Sequence, residues 1–162
     1  MDSGRSRRVV GVDLGERRIG IAIGDLDAGI AMPLRTLGRS KHVADDALVL
    51  ARLAAEQGAG ALVVGLPLDM NGTEGPQAAK TREWAEAVAA ASGLLLRFRD
   101  ERLTSVRAEQ RIGKAARGRS GGPPSHAQLE AYRARVDREA AALILQDEMD
   151  ATANEHADRR PE

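Results

Sequence analysis

The hydrophobic period of the chain changes repeatedly, and each change marks an element. Val9, Val10 and Val12 make a β-branched run that reaches Asp13; a turn follows over residues 14–18; Ile19, Ile21 and Ile23 then alternate with Gly20, Ala22 and Gly24. Period-two alternation of β-branched residues predicts a hairpin. Its second strand has one large apolar face and one almost free of side chains. Ile30, Met32 and Leu34 alternate next, and Pro33, which lacks a ladder donor, assigns that strand to a sheet edge. From Val43 the spacing turns helical through Ala47, Leu50 and Ala54, with Gly58 as the stop. Residues 61–66, ALVVGL, form an apolar run too short for a helix, hence a strand buried on both faces. Residues 67–75 are loop, and Pro76 suits the first turn of a helix that buries Trp84, Val88 and Ala91 and stops at Gly93.

A further strand over residues 94–98 ends in Arg99, Asp100 and Glu101, and a helix over residues 103–116 follows. RGRSGGPPS, residues 117–125, is the one flexible, low-complexity stretch. The last helix covers residues 128–149, with Val136, Ala140, Leu143 and Ile144 as its core stripe. Three strands, then helix, strand, helix, strand and two helices, predict an α/β fold: a mixed five-stranded sheet flanked by helices on both faces. Residues 8–150 form one domain, and residues 1–7 and the acidic tail 151–162 are expected to be disordered.

Composition narrows the class. Apolar residues are 43% of the 162 but aromatics only 2%, so the core is built from Ala, Val, Leu and Ile. Without cysteine there is neither a disulfide nor a thiolate zinc site. No apolar run has the length of a membrane span, and no apolar segment follows the basic start as a signal peptide requires, so a soluble, cytoplasmic protein is expected. The formal net charge of zero hides an asymmetry. Residues 97–138 carry eleven Lys/Arg against five Asp/Glu, and residues 139–162 carry two against seven. That pattern gives either a charged binding surface or a solvated helix face with scattered arginines.

Three acids stand out: Asp13 at the end of the first strand, Glu101 after the strand over residues 94–98, and Asp137 within the last helix beside the small Ala140 and Ala141. In open α/β sheets, sites gather at the carboxyl ends of central strands, which brings Asp13 and Glu101 together. Asp13 alone has a second, less favoured reading as a turn aspartate capping its own backbone. Three converging carboxylates, however, repel one another unless cations neutralise them, and oxygen-only ligands suit Mg²⁺ or Mn²⁺. Two such ions can activate a water and stabilise the leaving oxygen of a phosphodiester.

These residues also carry a family resemblance. VVGVDLGERRIGIAIGD, VVGLPLDMNGTEGPQA, DERLTS and VDREAAALILQ, in this order and spacing, closely resemble the YqgF family, known as Holliday junction resolvases and as nucleases that mature the small-subunit (pre-16S) ribosomal RNA. The resemblance runs over residues 8–150. It implies a ribonuclease-H-like fold, a divalent-metal nuclease site with Asp13, Glu101 and Asp137 as the acidic triad, and a nucleic acid partner, either an RNA precursor or branched DNA. The segment RGRSGGPPSHAQLEAYRAR is a longer, Gly/Pro-bearing approach to Asp137 than the family pattern has.

Lesser candidates complete the reading. Arg102 contacts a scissile phosphate or pairs with Glu101 or Asp100. Asn71 and Thr73 bind phosphate oxygens or cap the next helix. Arg17 and Arg18 in the hairpin turn, and Lys114, Arg117 and Arg119 on the flexible stretch, are candidate backbone-phosphate contacts. Tyr132 stacks on a base or packs, and His42, His126 and His156 lack any ligand spacing. The chain acts as a monomer or a homodimer, the latter suiting two-fold cutting of a junction. Two other classes compete: a catalytically inactive nucleic-acid binder on the same fold, and an actin-like or sugar-kinase phosphate-binding fold suggested by Asp13-Leu14-Gly15. The second needs another domain to close over a nucleotide, which 162 residues do not supply.

Overall fold

Alternation of isoleucine and glycine in the second strand decides how this molecule is layered. In the computed structural model, which describes residues 7–159, the chain runs β1 (Arg8–Leu14), β2 (Arg18–Asp25), β3 (Ile30–Gly38), α1 (Val43–Gln57), β4 (Ala59–Leu66), α2 (Pro76–Ser92), β5 (Leu95–Asp100), α3 (Thr104–Ile112) and α4 (His126–Asp158). The sheet order is β3-β2-β1-β4-β5. β1, β2 and β3 form an antiparallel meander, while β1, β4 and β5 are parallel. This is the expected mixed five-stranded sheet.

Period two sorts the strand side chains onto its two faces. Val10, Val12, Ile19, Ile21, Leu62 and Val64 join Leu50 and Leu53 of α1 and Trp84 and Val88 of α2 in one core. Burying each such side chain stabilises the fold by about 1.5–3 kcal/mol. Val9, Ala22 and Val63 meet Ala141, Ile144, Leu145 and Met149 of α4 on the opposite face. Here the strands give room rather than bulk. A Cβ on Gly24 would lie 2.7 Å from the Met149 sulfur, and one on Gly11 2.8 Å from the Leu145 Cβ. The bare face of β2 is therefore the seat of α4, and α3 packs on α4 through Ala108, Val136, Ala140 and Leu143.

Pro33 does lie on the edge strand, beside a register shift between Ile21 and Ala22. Gly58 and Gly93, both left-handed, stop α1 and α2. Three expectations need correction. The third helix ends at Ile112 rather than residue 116, because Gly113 leaves helical geometry at φ 89°. Residues 117–125 are held by turn hydrogen bonds from Gly118 to Gly122 and from Gly121 to Gly118, and the Gln128 side chain donates to the Arg117 carbonyl. Finally, the acidic tail is not disordered through residue 158: α4 continues to Asp158. The apolar stripe ends at Met149, but Ala151, Ala153 and Glu155 favour helix and no breaker appears before Pro161. The expected disordered residues 1–6 and 160–162 lie outside the described residues. Among the described residues, no helix is long and apolar enough to cross a membrane.

Candidate active site

Asp13 shares the face of β1 that looks toward α4, and its strand partner across the hairpin is Gly20. A Cβ on Gly20 would lie 2.0 Å from the Asp137 carbonyl oxygen. Only a glycine there lets α4 sit low enough to bring Asp137 beside Asp13, whose pKa its charge raises. Glu101 arrives from the other side. Its N–H donates to the Leu66 carbonyl at 3.0 Å, its own carbonyl accepts from Thr104 N–H at 3.0 Å, and the turn between requires Leu103 at φ 62°. The carboxyl group then occupies space that Gly65 leaves open, since a Cβ on Gly65 would be 2.5 Å from Glu101 Oε2.

The result is a hydrogen-bonded pair, Asp13 with Glu101. Burial is the first cause that raises Asp13 to about 6, followed by the opposing pull of its hydrogen bond to Glu101 and the push of Asp137. Burial, then the charge and hydrogen bond of Asp13, raises Glu101 to about 10. Among the described residues, no cationic side chain is one of the groups acting on either. A proton therefore does, between these two oxygens, what a positive charge would otherwise do. Asp137 is held differently. Arg18 Nε donates to its Oδ2 at 2.6 Å, and the same guanidinium reaches Glu130 at 3.3 Å. Among the described residues no group of three acidic or histidine side chains stands ready to hold a metal ion, for the third carboxylate faces an arginine. The donor chemistry of the pair itself, two half-buried carboxyls offering only oxygen ligands and, among the described residues, no basic side chain acting on them, fits a hard divalent cation such as Mg²⁺ or Mn²⁺.

The other candidates divide. Arg17 and Arg18 line an open polar cavity of about 420 Å³ together with Gly15, Glu16, Glu130, Arg133 and Asp137, three arginines against three acids. Arg102 takes the structural alternative: it pairs with Asp100 at 2.7 Å and donates to the Met70 carbonyl at 3.1 Å, fastening the 67–75 loop to the turn that carries Glu101. Asn71 and Thr73 do not cap α2, whose N-cap is Gly75 without a side-chain bond. Instead the Thr73 hydroxyl and N–H both donate to the Asn71 side chain. Lys114, Arg117 and Arg119 are not brought to the carboxylates; Gln128, which ties down Arg117, precedes Asp137 by about 13 Å along the helix axis. Tyr132 packs on α3 and its hydroxyl donates to the Gly113 carbonyl at 2.8 Å. Sequence reasoning missed Gly20 and Gly65 as determinants of the site, and Glu130 as a partner of Arg18. The bare face of β2 was the available signal for the first.

A mixed sheet in the order 3-2-1-4-5 with flanking helices is the ribonuclease-H-like fold. A solved RuvC structure from Thermus thermophilus shares the fold with TM-score 0.51 over 91% of this chain and 96% of that one, at 12% identity. Residues 7–151 match the RuvX family model, described as Holliday junction resolvase, and the chain belongs to that family. It is thereby a nuclease, a class of hydrolase. A Chloroflexus aggregans protein named "Putative pre-16S rRNA nuclease" is 43% identical over 90% of this chain and 95% of its own length. A protein of the same name from Rhodobacter capsulatus is 40% identical over 90% of this chain and 85% of its own.

Proposed function

We propose that this chain is a divalent-metal-dependent nuclease that hydrolyses phosphodiester bonds with Asp13, Glu101 and Asp137 as its acidic site. The observation that carries the reading is the Asp13–Glu101 pair: two half-buried acids hydrogen-bonded to each other, both pKa values raised, with no cationic side chain of the described residues among the groups acting on them. Acids are not packed so for stability, since separating or neutralising them would relieve the repulsion. A bound Mg²⁺ or Mn²⁺ would supply the activated water and the counter-charge for the leaving oxygen. The chain's own residues do the rest. Asp13 and Glu101 hold that cation, and Gly65 and Gly20 keep the carboxyls in reach of one another. Arg17, Arg18 and Arg133 offer guanidinium donors to the phosphate backbone at the adjoining cavity, whose wall also carries Glu16, Glu130 and Asp137. Asn71 and Thr73 lie on a loop tied by Arg102 to the Glu101 turn, so substrate held there is registered to the carboxyl pair.

The substrate is a structured nucleic acid. Maturation of the small-subunit ribosomal RNA precursor is the first assignment, supported by the shared name of relatives at 43% and 40% identity. Resolution of branched DNA is the second, supported by the family's description. Cleavage of a pre-16S RNA fragment and of a four-way DNA junction, side by side with Mn²⁺, tests the choice. The RNA is expected to be cut with the higher kcat/KM, and preferential cutting of the junction would reverse the assignment.

A further inference from the structure

Arg18 stands where a nuclease site of this kind has least use for a permanent cation. Its guanidinium lies 2.6 Å from the carboxylate that the proposed reading needs as a third acid, and it is fixed there by a second acid, Glu130. Arg133 is fixed in turn, at 3.4 Å from Glu130. The Arg18 and Asp137 side chains are about one-quarter exposed, with relative accessibilities of 26% and 23%, so water screens the contact only in part. Asp137 nevertheless remains close enough to Asp13 for its charge to act there. It is thus within electrostatic reach of the carboxyl pair, yet occupied.

We propose that Arg18 is a positioning residue that holds Asp137 in the metal-free protein and competes with the divalent cation for its carboxylate. The proposal rests on the metal-nuclease reading and adds an order of events to it. Without the cation, three acids converging on one spot would repel; the proton between Asp13 and Glu101 and the guanidinium on Asp137 quench that repulsion separately. When a cation is bound by the pair, Asp137 can turn to it only by giving up Arg18. The released guanidinium, still beside Glu130, remains at the wall of the 420 Å³ cavity it shares with Glu16, Arg17 and Arg133, where a phosphate of the substrate backbone can take the place of Asp137. Cation and nucleic acid therefore support one another: a phosphate that takes Arg18 frees Asp137, and a cation that takes Asp137 frees Arg18. Such coupling is reciprocal by necessity.

The test is Mn²⁺ binding to the whole chain by calorimetry, without nucleic acid, for wild type, Arg18→Gln, Asp137→Asn and the double variant. Removing the competitor should tighten Mn²⁺ binding about tenfold, the usual size of such a coupling. Arg18→Lys, which keeps the charge but loses the fork, should fall between. Asp137→Asn should weaken binding and abolish the gain from Arg18→Gln, because the effect passes through that carboxylate. Unfolding midpoints of each variant identify any that fail to fold, and the lysine variant then carries the comparison. Equal or weaker Mn²⁺ binding by Arg18→Gln, with Asp137→Asn still impaired, would overturn the role of Arg18 and leave the metal site standing. Mn²⁺ binding by none of the four proteins would overturn the metal reading itself, and this proposal with it.

Discussion

A half-buried carboxyl group held against another carboxyl changes the pH dependence of the whole fold. The folded-state pKa values of Asp13 and Glu101, about 6 and about 10, lie above their ordinary 3.8 and 4.5. The folded chain therefore binds protons more tightly than the unfolded one. That stabilisation is complete only below about pH 3, under both ordinary values. It is lost as pH rises through about 6 for Asp13 and on toward about 10 for Glu101. In EDTA, the chain should lose stability steadily between pH 5 and pH 9 from this pair, most of it through Glu101, whose folded value lies furthest above the ordinary one. Glu101→Gln should flatten that slope and be at least as stable as wild type at pH 8. Urea unfolding across this pH range measures both, and an unchanged slope in Glu101→Gln would mean the pair does not share its proton. Saturating Mn²⁺ should reverse the trend, because a cation replaces the proton and binds the ionised form.

At the scale of elements, the decisive contact is between α4 and the bare face of β2. Gly20→Ala places a methyl 2.0 Å from the Asp137 carbonyl oxygen, a backbone atom that can move only if the helix moves. The expected loss is about 3 kcal/mol or more, in the range of severe overpacking, together with a fall in Mn²⁺ affinity as α4 lifts Asp137 away. Thermal unfolding and calorimetry check the two effects; a loss below about 1 kcal/mol would show that the helix can shift freely. This same contact shows what was legible in the sequence. The Ile19–Gly24 alternation announced a strand with an empty face, and Pro33 announced an edge. What fills the empty face was not legible, because period two says which side chains point together and nothing about which helix covers them. The acids Asp13 and Glu101 were placed at the carboxyl ends of parallel strands by topology alone, whereas β4, whose Gly65 leaves room for Glu101, lies between those two strands. From sequence Arg18 reads as a phosphate contact, since its Asp137 partner is brought in only by tertiary packing across most of the chain length.

For the whole molecule, the same limit explains the charge pattern. The basic surplus of residues 97–138 is largely spent on acids: Arg97 and Arg99 on Glu148, Arg107 on Asp147, Arg111 on Glu139. Arg102 goes to Asp100. Much of the acidic C-terminal surplus is thus the complement of the basic segment, folded back on it by α4. Among the described residues, Lys114, Arg117 and Arg119 contribute no such pair, so their charge remains available to a phosphate backbone. Replacing all three with Ala should weaken nucleic acid binding for every sequence tested and lower the slope of log K against log salt by up to about 3, roughly one for each phosphate no longer neutralised. Cleavage at saturating substrate should change little, for none of the three touches the carboxyl pair. A binding titration at several salt concentrations decides this, and an unchanged slope would move the substrate track to Arg17 and Arg133.

The acids at the strand ends carry the chemistry proposed for this chain. The most direct test is cleavage of a radiolabelled pre-16S RNA fragment and four-way junction by wild type and Asp13→Asn, each with Mn²⁺ and with EDTA, and each checked for folding by circular dichroism. Wild type should cut at least one substrate with Mn²⁺ and neither with EDTA, while folded Asp13→Asn should lose at least about a thousandfold in kcat, as removal of a group essential to the chemistry does. Cleavage that survives in folded Asp13→Asn, or that proceeds undiminished in EDTA, would contradict the central claim.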